Sequence, residues 1–174
     1  MTLYARIREA EASLTDPHGT TLYPTVQDAI DAADYMLSRY GEITLLKDIT
    51  PENSILIESK EVVFDLAGHT ITGTSSKLDF AVIDVINSSL TLIDSSSGQT
   101  GKIIGGADDV YGVYVEGVGS TTAILTIEGG TIEGCSGVGT QAGGGVYLAG
   151  NSRFIMSGGR IIGNTGGDWR ECLF

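Results

Sequence analysis

The chain repeats one arrangement of short apolar runs, and this repeat restricts its fold more than any other feature. After Gly41, β-branched and apolar runs separated by Gly, Ser and Asn recur in a fixed order of three strand types, here called a, b and c. Side chains alternate along a strand, so every second residue faces the same way. The inward pairs are Ile55/Ile57, Ile83/Val85, Val113/Val115 and Val146/Leu148 for strand a, and Phe64/Leu66, Leu90/Leu92, Leu125/Ile127 and Phe154/Met156 for strand b.

Strand c contributes one inward column, which sets the length of the repeat. Its members follow one another after 26, 32, 29 and 29 residues, and they are Leu45, Ile71, Ile103, Ile132 and Ile161. Two further columns flank the isoleucines: Gly73, Gly105, Gly134 and Gly163 lie two positions after them, and His69, Gly101, Gly130 and Gly159 lie two positions before them. These columns predict a recurring turn with positive φ, which glycine adopts without strain and histidine tolerates better than most residues.

One such coil cannot bury its inward aliphatic residues alone, whereas stacked coils pair every strand with its equivalents above and below. The five members of the strand c column predict an all-β solenoid, a parallel β-helix of five three-stranded coils. We expect a single domain with three parts. These are an N-terminal segment and capping helix in residues 1–41, the β-helix in residues 42–167 and a C-terminal tail or partial lid in residues 168–174.

The segment from Pro24 to Tyr40 is predicted to be a helix. Thr25 followed by Asp28 resembles a capping box, and Gly41 supplies a residue type that commonly ends a helix. The apolar residues at three- and four-residue spacing form one face, which consists of Val26, Ala29, Ile30, Ala33 and Leu37. We expect this face to cover the open apolar end of the first coil and to blunt its exposed strand edge.

Several segments resemble the β-helical repeat regions of large surface proteins of Gram-positive bacteria. The segments are YARI, TVQDAIDAA, EITLLKDIT and VVFDLAGHTITG, followed by LTIEGGTIEGC, GGGVYLAG and FIMSGGRIIGNTGG. The resemblance extends from Tyr4 to Gly167. It implies a pectate-lyase-like right-handed parallel β-helix on a secreted or cell-surface protein, in an adhesive or stalk role.

The charge balance and the two cysteines exclude some classes of function. With 22 acidic and 10 basic residues the net charge is −12, which disfavours binding to nucleic acid. No signal peptide and no apolar stretch long enough to span a membrane is present in the given chain. Cys135 and Cys172 are too few for a zinc site; they allow either a disulfide or two free thiols.

Outward charged residues are the places to look for catalysis. A polysaccharide lyase needs carboxylates around calcium and a basic residue, but the outward charges are dispersed over three faces as Asp65, Asp84, Lys102 and Arg160. Glu128 and Glu133 are the best pair for a glycosidase, although their side chains are expected to point apart. We therefore expect no catalytic residues and no cofactor. A carbohydrate-active enzyme, and weak calcium binding at Asp108–Asp109, remain alternatives.

The candidate ligand-binding residues lie on the outward side of strand a. Asp84, Tyr114 and Tyr147 occupy equivalent positions on successive coils, and Glu116 lies nearby. They form an aromatic strip for a glycan or a protein partner at the cell surface, unless the tyrosines only stabilise the sheet by stacking.

The apolar end of the last coil is a second candidate surface. Phe154, Met156 and Ile161 lie at this end. Either the segment with Trp169, Leu173 and Phe174 folds back over it, or another subunit stacks there, as in a phage fibre or a self-stacking assembly.

Overall fold

The computed structural model describes residues 10–33, 41–74, 81–105, 110–137 and 144–166. Within these ranges the protein is mostly β-structure with a single short helix, and it forms a parallel β-solenoid of about three turns. The elements are β1 (Ala12–Asp16), β2 (Gly19–Tyr23), α1 (Val26–Ala32), β3 (Glu42–Leu45), β4 (Ile55–Glu58), β5 (Glu61–Asp65), β6 (Thr70–Thr72), β7 (Ala81–Ile86), β8 (Ser89–Ile93), β9 (Lys102–Ile104), β10 (Tyr111–Gly117), β11 (Ala123–Ile127), β12 (Thr131–Glu133), β13 (Val146–Gly150), β14 (Ser152–Met156) and β15 (Arg160–Ile162).

Three sheets form the walls of the solenoid, and their strands from β3 onward pair in parallel. The a sheet has the order β4-β7-β10-β13, the c sheet has the order β6-β9-β12-β15, and the b sheet contains β5, β8, β11 and β14. The predicted strand a column is confirmed, because Val113 pairs with both Ile83 and Val146. From Ile71 onward the strand c column is confirmed as well. The inward aliphatic residues of these columns form one continuous core.

The predicted register of the first b strand is wrong by two residues. Phe64 pairs with Leu92, and Val62 pairs with Leu90, whereas the sequence alignment placed Phe64 opposite Leu90. A shift of two residues keeps every side chain on the same face of the sheet. Phe64 and Leu66 are therefore fully buried as expected, although their neighbours along the column differ.

The assignment of Leu45 to strand c is also wrong. β3 pairs in parallel with β5 in the b sheet, where Ile43 lies opposite Phe64. The residue that bridges to Ile71 is Ile49, four positions after Leu45. Both Ile49 and Leu45 are buried, so apolar pattern alone does not distinguish them.

The N-terminal region contains a β-hairpin that the sequence did not suggest. β1 pairs antiparallel with β2 and with β3, so the hairpin extends the b sheet beyond the first parallel strand. His18 lies in its turn, and its backbone N–H donates to the Asp16 carboxylate at 2.7 Å. Most of β2 is exposed, which explains why its sequence lacks an alternating apolar pattern.

Helix α1 begins as predicted but ends early. The Thr25 hydroxyl accepts a hydrogen bond from the Asp28 N–H at 3.1 Å and donates to the Asp28 carboxylate at 2.8 Å. The described helix ends at Ala32, because Ala33 is extended with ψ 107°. Ala33 therefore interrupts the helix that was predicted to run without a break from Pro24 to Tyr40; residues 34–40 lie outside the described residues, so an end at Gly41 stays a prediction. Leu37 lies outside the described residues.

The glycine columns contain two different kinds of glycine. Gly130, Gly134, Gly159 and Gly163 have positive φ, as predicted, whereas Gly101 and Gly105 do not. At Gly101 a Cβ would lie 2.5 Å from the Cβ of Leu66, so close packing rather than φ excludes a side chain there. His69 does not have a positive φ either; the left-handed residues of its turn are Ala67 and Gly68.

Two buried carboxylates connect neighbouring turns of the chain at the corner between the b and c sheets. Asp94 accepts hydrogen bonds from the N–H groups of Gly68 at 2.9 Å and Gly101 at 2.6 Å. Asp65 accepts from the N–H groups of Ala67 and Ser95, both at 2.8 Å. Asp65 is 2% exposed, so the prediction that it is an outward charge is wrong. Each carboxylate satisfies backbone donors from two successive corners.

Candidate functional site

The outward side of the a sheet brings the candidate binding residues together. Val113 and Val115 alternate with Tyr114 and Glu116 along β10, so the valines enter the core while the tyrosine and glutamate face solvent. Tyr114 pairs with Asp84 on one side and with Tyr147 on the other, which confirms the predicted alignment of these three positions. All of these polar side chains are partly exposed.

The tyrosine rings stack on one another. The Tyr147 ring lies 5.5 Å from the Tyr114 ring at an interplanar angle of 11°, and 5.4 Å from the Tyr111 ring at 15°. The sequence interpretation missed Tyr111 because strict alternation from Val113 assigns it to the inward side. It is the first residue of β10, where the ring still reaches the outward stack. Its aromatic identity, three residues before Tyr114, was the available signal.

A hydrogen bond couples the tyrosine stack to a carboxylate. The Tyr114 hydroxyl donates to Glu116 at 2.9 Å. Partial burial, this hydrogen bond and the negative charges of Glu116 and Asp84 raise the pKa of Tyr114 to about 12. The phenol therefore stays protonated and remains a hydrogen-bond donor at physiological pH.

We call this group of side chains the tyrosine–carboxylate face; it consists of Asp84, Tyr111, Tyr114, Glu116 and Tyr147. Because its rings lie nearly parallel at stacking distance, they cover one another's faces within the stack. The groups left to meet a ligand are the outer faces of the end rings, the phenol oxygens and the carboxylates. The face is thus suited to hydrogen bonding and to attracting positive charge.

The other charged candidates lie away from this face. Lys102 forms an ion pair with Glu133 at 2.7 Å on the c sheet, while Glu128 is exposed at the corner between the b and c sheets. His69 Nδ1 lies 3.4 Å from the Asp48 carboxylate. Within the described ranges no group of three or more His, Cys, Asp or Glu side chains is arranged to hold a metal ion. Asp108 and Asp109 lie outside them.

Cys135 is a buried free thiol. It donates to the carbonyl of Glu133 at 3.3 Å, and burial raises its pKa to about 12. Such a thiol is unreactive at neutral pH. Cys172 lies outside the described residues, but Cys135 is free in this structure, which favours the alternative of free thiols over the disulfide.

The fold defines the class as a parallel β-solenoid. Comparisons with protein-family models, with curated proteins and with solved structures found no match to this chain. The resemblance to bacterial surface repeat regions therefore stays a prediction. Among the described residues, no helix has the length and apolar character needed to cross a membrane.

Proposed function

We propose that the protein is a non-catalytic structural or adhesive β-helix module of a secreted or cell-surface protein. It contacts a glycan or a protein partner through the tyrosine–carboxylate face. The observation that carries this proposal is the stack of Tyr111, Tyr147 and Tyr114 on the solvent side of a regular sheet. These large side chains lie outside the aliphatic core of the solenoid, and exposed aromatic residues are common at binding surfaces.

We further infer that the β-helix is right-handed, has five levels and is closed at its N-terminal end by α1. Support comes from the Gln27 side chain, whose amide donates to the Leu56 carbonyl at 3.0 Å and accepts from the Leu56 N–H at 2.9 Å. Gln27 thereby takes the place of a neighbouring strand at the edge of β4. Ile49 supplies the additional level below Ile71.

The test of the binding role is a double substitution of the two paired tyrosines. Tyr114→Ala with Tyr147→Ala should abolish binding to the ligand that wild type captures on a glycan array or on cells. Tyr23→Ala, a partly exposed tyrosine of the N-terminal hairpin, is the matched control and should bind like wild type. Unchanged binding by a folded double variant would contradict the proposal.

A second candidate function is self-stacking through the C-terminal coil, residues 144–166. In this coil Met156 is 43% exposed, whereas its paired neighbour Ile127 is 1% exposed. Phe154 and Ile161 are also only partly buried. Trp169, Leu173 and Phe174, proposed from the sequence as a lid, lie outside the described residues.

Analytical ultracentrifugation over a range of concentrations tests self-stacking. Association should weaken in Met156→Glu and persist in Val118→Glu, which places the same charge on a loop residue that is 55% exposed. A wild-type protein that stays monomeric at every concentration would contradict this second function.

A further inference from the structure

We propose that the partner of the tyrosine–carboxylate face is a basic, arginine-bearing segment of another protein. This inference rests on the proposed binding role of the same face and narrows it from two classes of ligand to one. It follows from the orientation of the rings and from the distribution of charge over the sheets.

The ring geometry limits the aromatic surface that is open to a sugar. Tyr147 stacks on both Tyr111 and Tyr114 with angles of 15° and 11°, so the ring faces turned toward one another are covered. Tyr114, whose outer face is not covered by this stack, pairs with Asp84 and bonds to Glu116. A cation at this position gains from the negative charge, whereas a neutral sugar does not.

The charge of the a sheet is exclusively negative. Its strands Ile55–Glu58, Ala81–Ile86, Tyr111–Gly117 and Val146–Gly150 contain Glu58, Asp84 and Glu116 but neither Lys nor Arg. The other two sheets differ, since Arg153 lies on the b sheet and Lys102 and Arg160 lie on the c sheet. A cationic partner is therefore directed toward the a sheet by the protein itself, in addition to the overall charge of −12.

Arginine fits this face better than lysine. Its planar guanidinium has five donors, binds carboxylates with two hydrogen bonds and also packs against aromatic rings. Tyr114 pairs with Asp84 on the neighbouring strand and comes two residues before Glu116 on its own strand. Neighbouring strands are about 4.8 Å apart, so one arginine side chain can contact a carboxylate and a tyrosine together.

The experiment measures binding of a fluorescein-labelled peptide with four arginines by fluorescence anisotropy at low salt. Asp84→Asn with Glu116→Gln should raise the Kd about tenfold, because the face loses two of its negative charges. Glu61→Gln with Glu128→Gln removes the same charge from two exposed positions outside the a sheet and should change the Kd less than twofold. A peptide with four lysines should bind wild type more weakly than the arginine peptide.

Three results would overturn the inference: no binding, equal losses in both double variants, or equal affinity for the two peptides. Equal losses in particular would mean that the acidic protein attracts the peptide without a defined site. If the arginine peptide fails while Tyr114→Ala with Tyr147→Ala still abolishes capture on a glycan array, the binding role stands and only the basic partner is wrong. If the arginine peptide fails to bind and Tyr114→Ala with Tyr147→Ala also leaves capture on the glycan array unchanged, the proposed function is wrong as well.

Discussion

The N-terminal end and the last turn of the solenoid use the same alternating pattern with different results. In β5 the inward Phe64 is completely buried, whereas in β14 the inward Phe154 is only partly buried and Met156 is 43% exposed. Inward side chains are buried only when a further layer covers them from each end. At the N-terminal end α1 packs against β1, β2, β3 and β4, and in the proposed closure this layer consists of α1, the β1–β2 hairpin and β3.

Specific hydrogen bonds hold the N-terminal layer in place. Lys60 donates to the carbonyls of Ile30, Asp31 and Ala33 at 2.7, 2.9 and 2.9 Å, so it satisfies the C-terminal end of α1. Gln27 at the other end of the helix bonds to both backbone groups of Leu56. The difference between the two ends of the solenoid teaches that polar side chains as well as apolar packing attach α1 to the neighbouring strands.

The largest effect should come from comparing the two phenylalanines. Phe64→Ala should lower the free energy of unfolding by about 3–5 kcal/mol, because it removes a fully buried ring and leaves a cavity. Phe154→Ala should lower the free energy of unfolding by about 1 kcal/mol, since the Phe154 ring of the wild-type protein is already partly exposed to solvent. Urea unfolding followed by circular dichroism measures both values. Equal costs would show that a layer covers the last turn in solution.

A smaller effect is expected at the contact between Lys60 and α1. Lys60→Met keeps the apolar stem but leaves three carbonyls without their donor, which should cost about 2 kcal/mol. Arg153→Met is the control, because Arg153 is an exposed basic residue of β14, the strand at the opposite edge of the b sheet from the N-terminal hairpin. The measurement is the shift of the urea midpoint, and a shift in the control as large as that in Lys60→Met would count against this role.

The smallest effect on stability at neutral pH is expected from the ionisation of the buried carboxylate of Asp94. Burial acts to raise its pKa, but hydrogen bonds from Gly101, Ser96 and Gly68 outweigh burial and lower it. Its stabilising contribution is therefore complete above the ordinary pKa of aspartate, near pH 4, and is lost as the pH falls through the lowered value. The corresponding corners of later turns carry glycines, for example Gly129 and Gly158.

Hydrogen exchange below pH 4 tests this difference between the corners. Amides of Gly68 and Gly101 should lose protection before the amide of Arg160, which is bonded to a backbone carbonyl instead of a carboxylate. Simultaneous loss of protection at all three amides would indicate that Asp94 does not control the local stability. The expected order applies only in acid, after correction for the intrinsic exchange rate.

The sequence predicted the features that depend on a local pattern. The columns through Val113 and Ile103 were correct because alternation and turn spacing both identify them. The register of Phe64 was wrong because a shift of two residues satisfies the same pattern. For the candidate site, Asp84, Tyr114 and Tyr147 were aligned correctly, but Tyr111 was missed because its position departs from alternation at a strand end.

The sequence alone therefore determined the class of fold, since an apolar period of two, interrupted by turns about every thirty residues, can be buried only by stacking. Only the tertiary structure decided which residue enters each column, as with Ile49 in place of Leu45, and which polar groups become buried, as with Asp65. Such choices depend on backbone partners and close contacts between distant segments, and a local pattern contains no information about either.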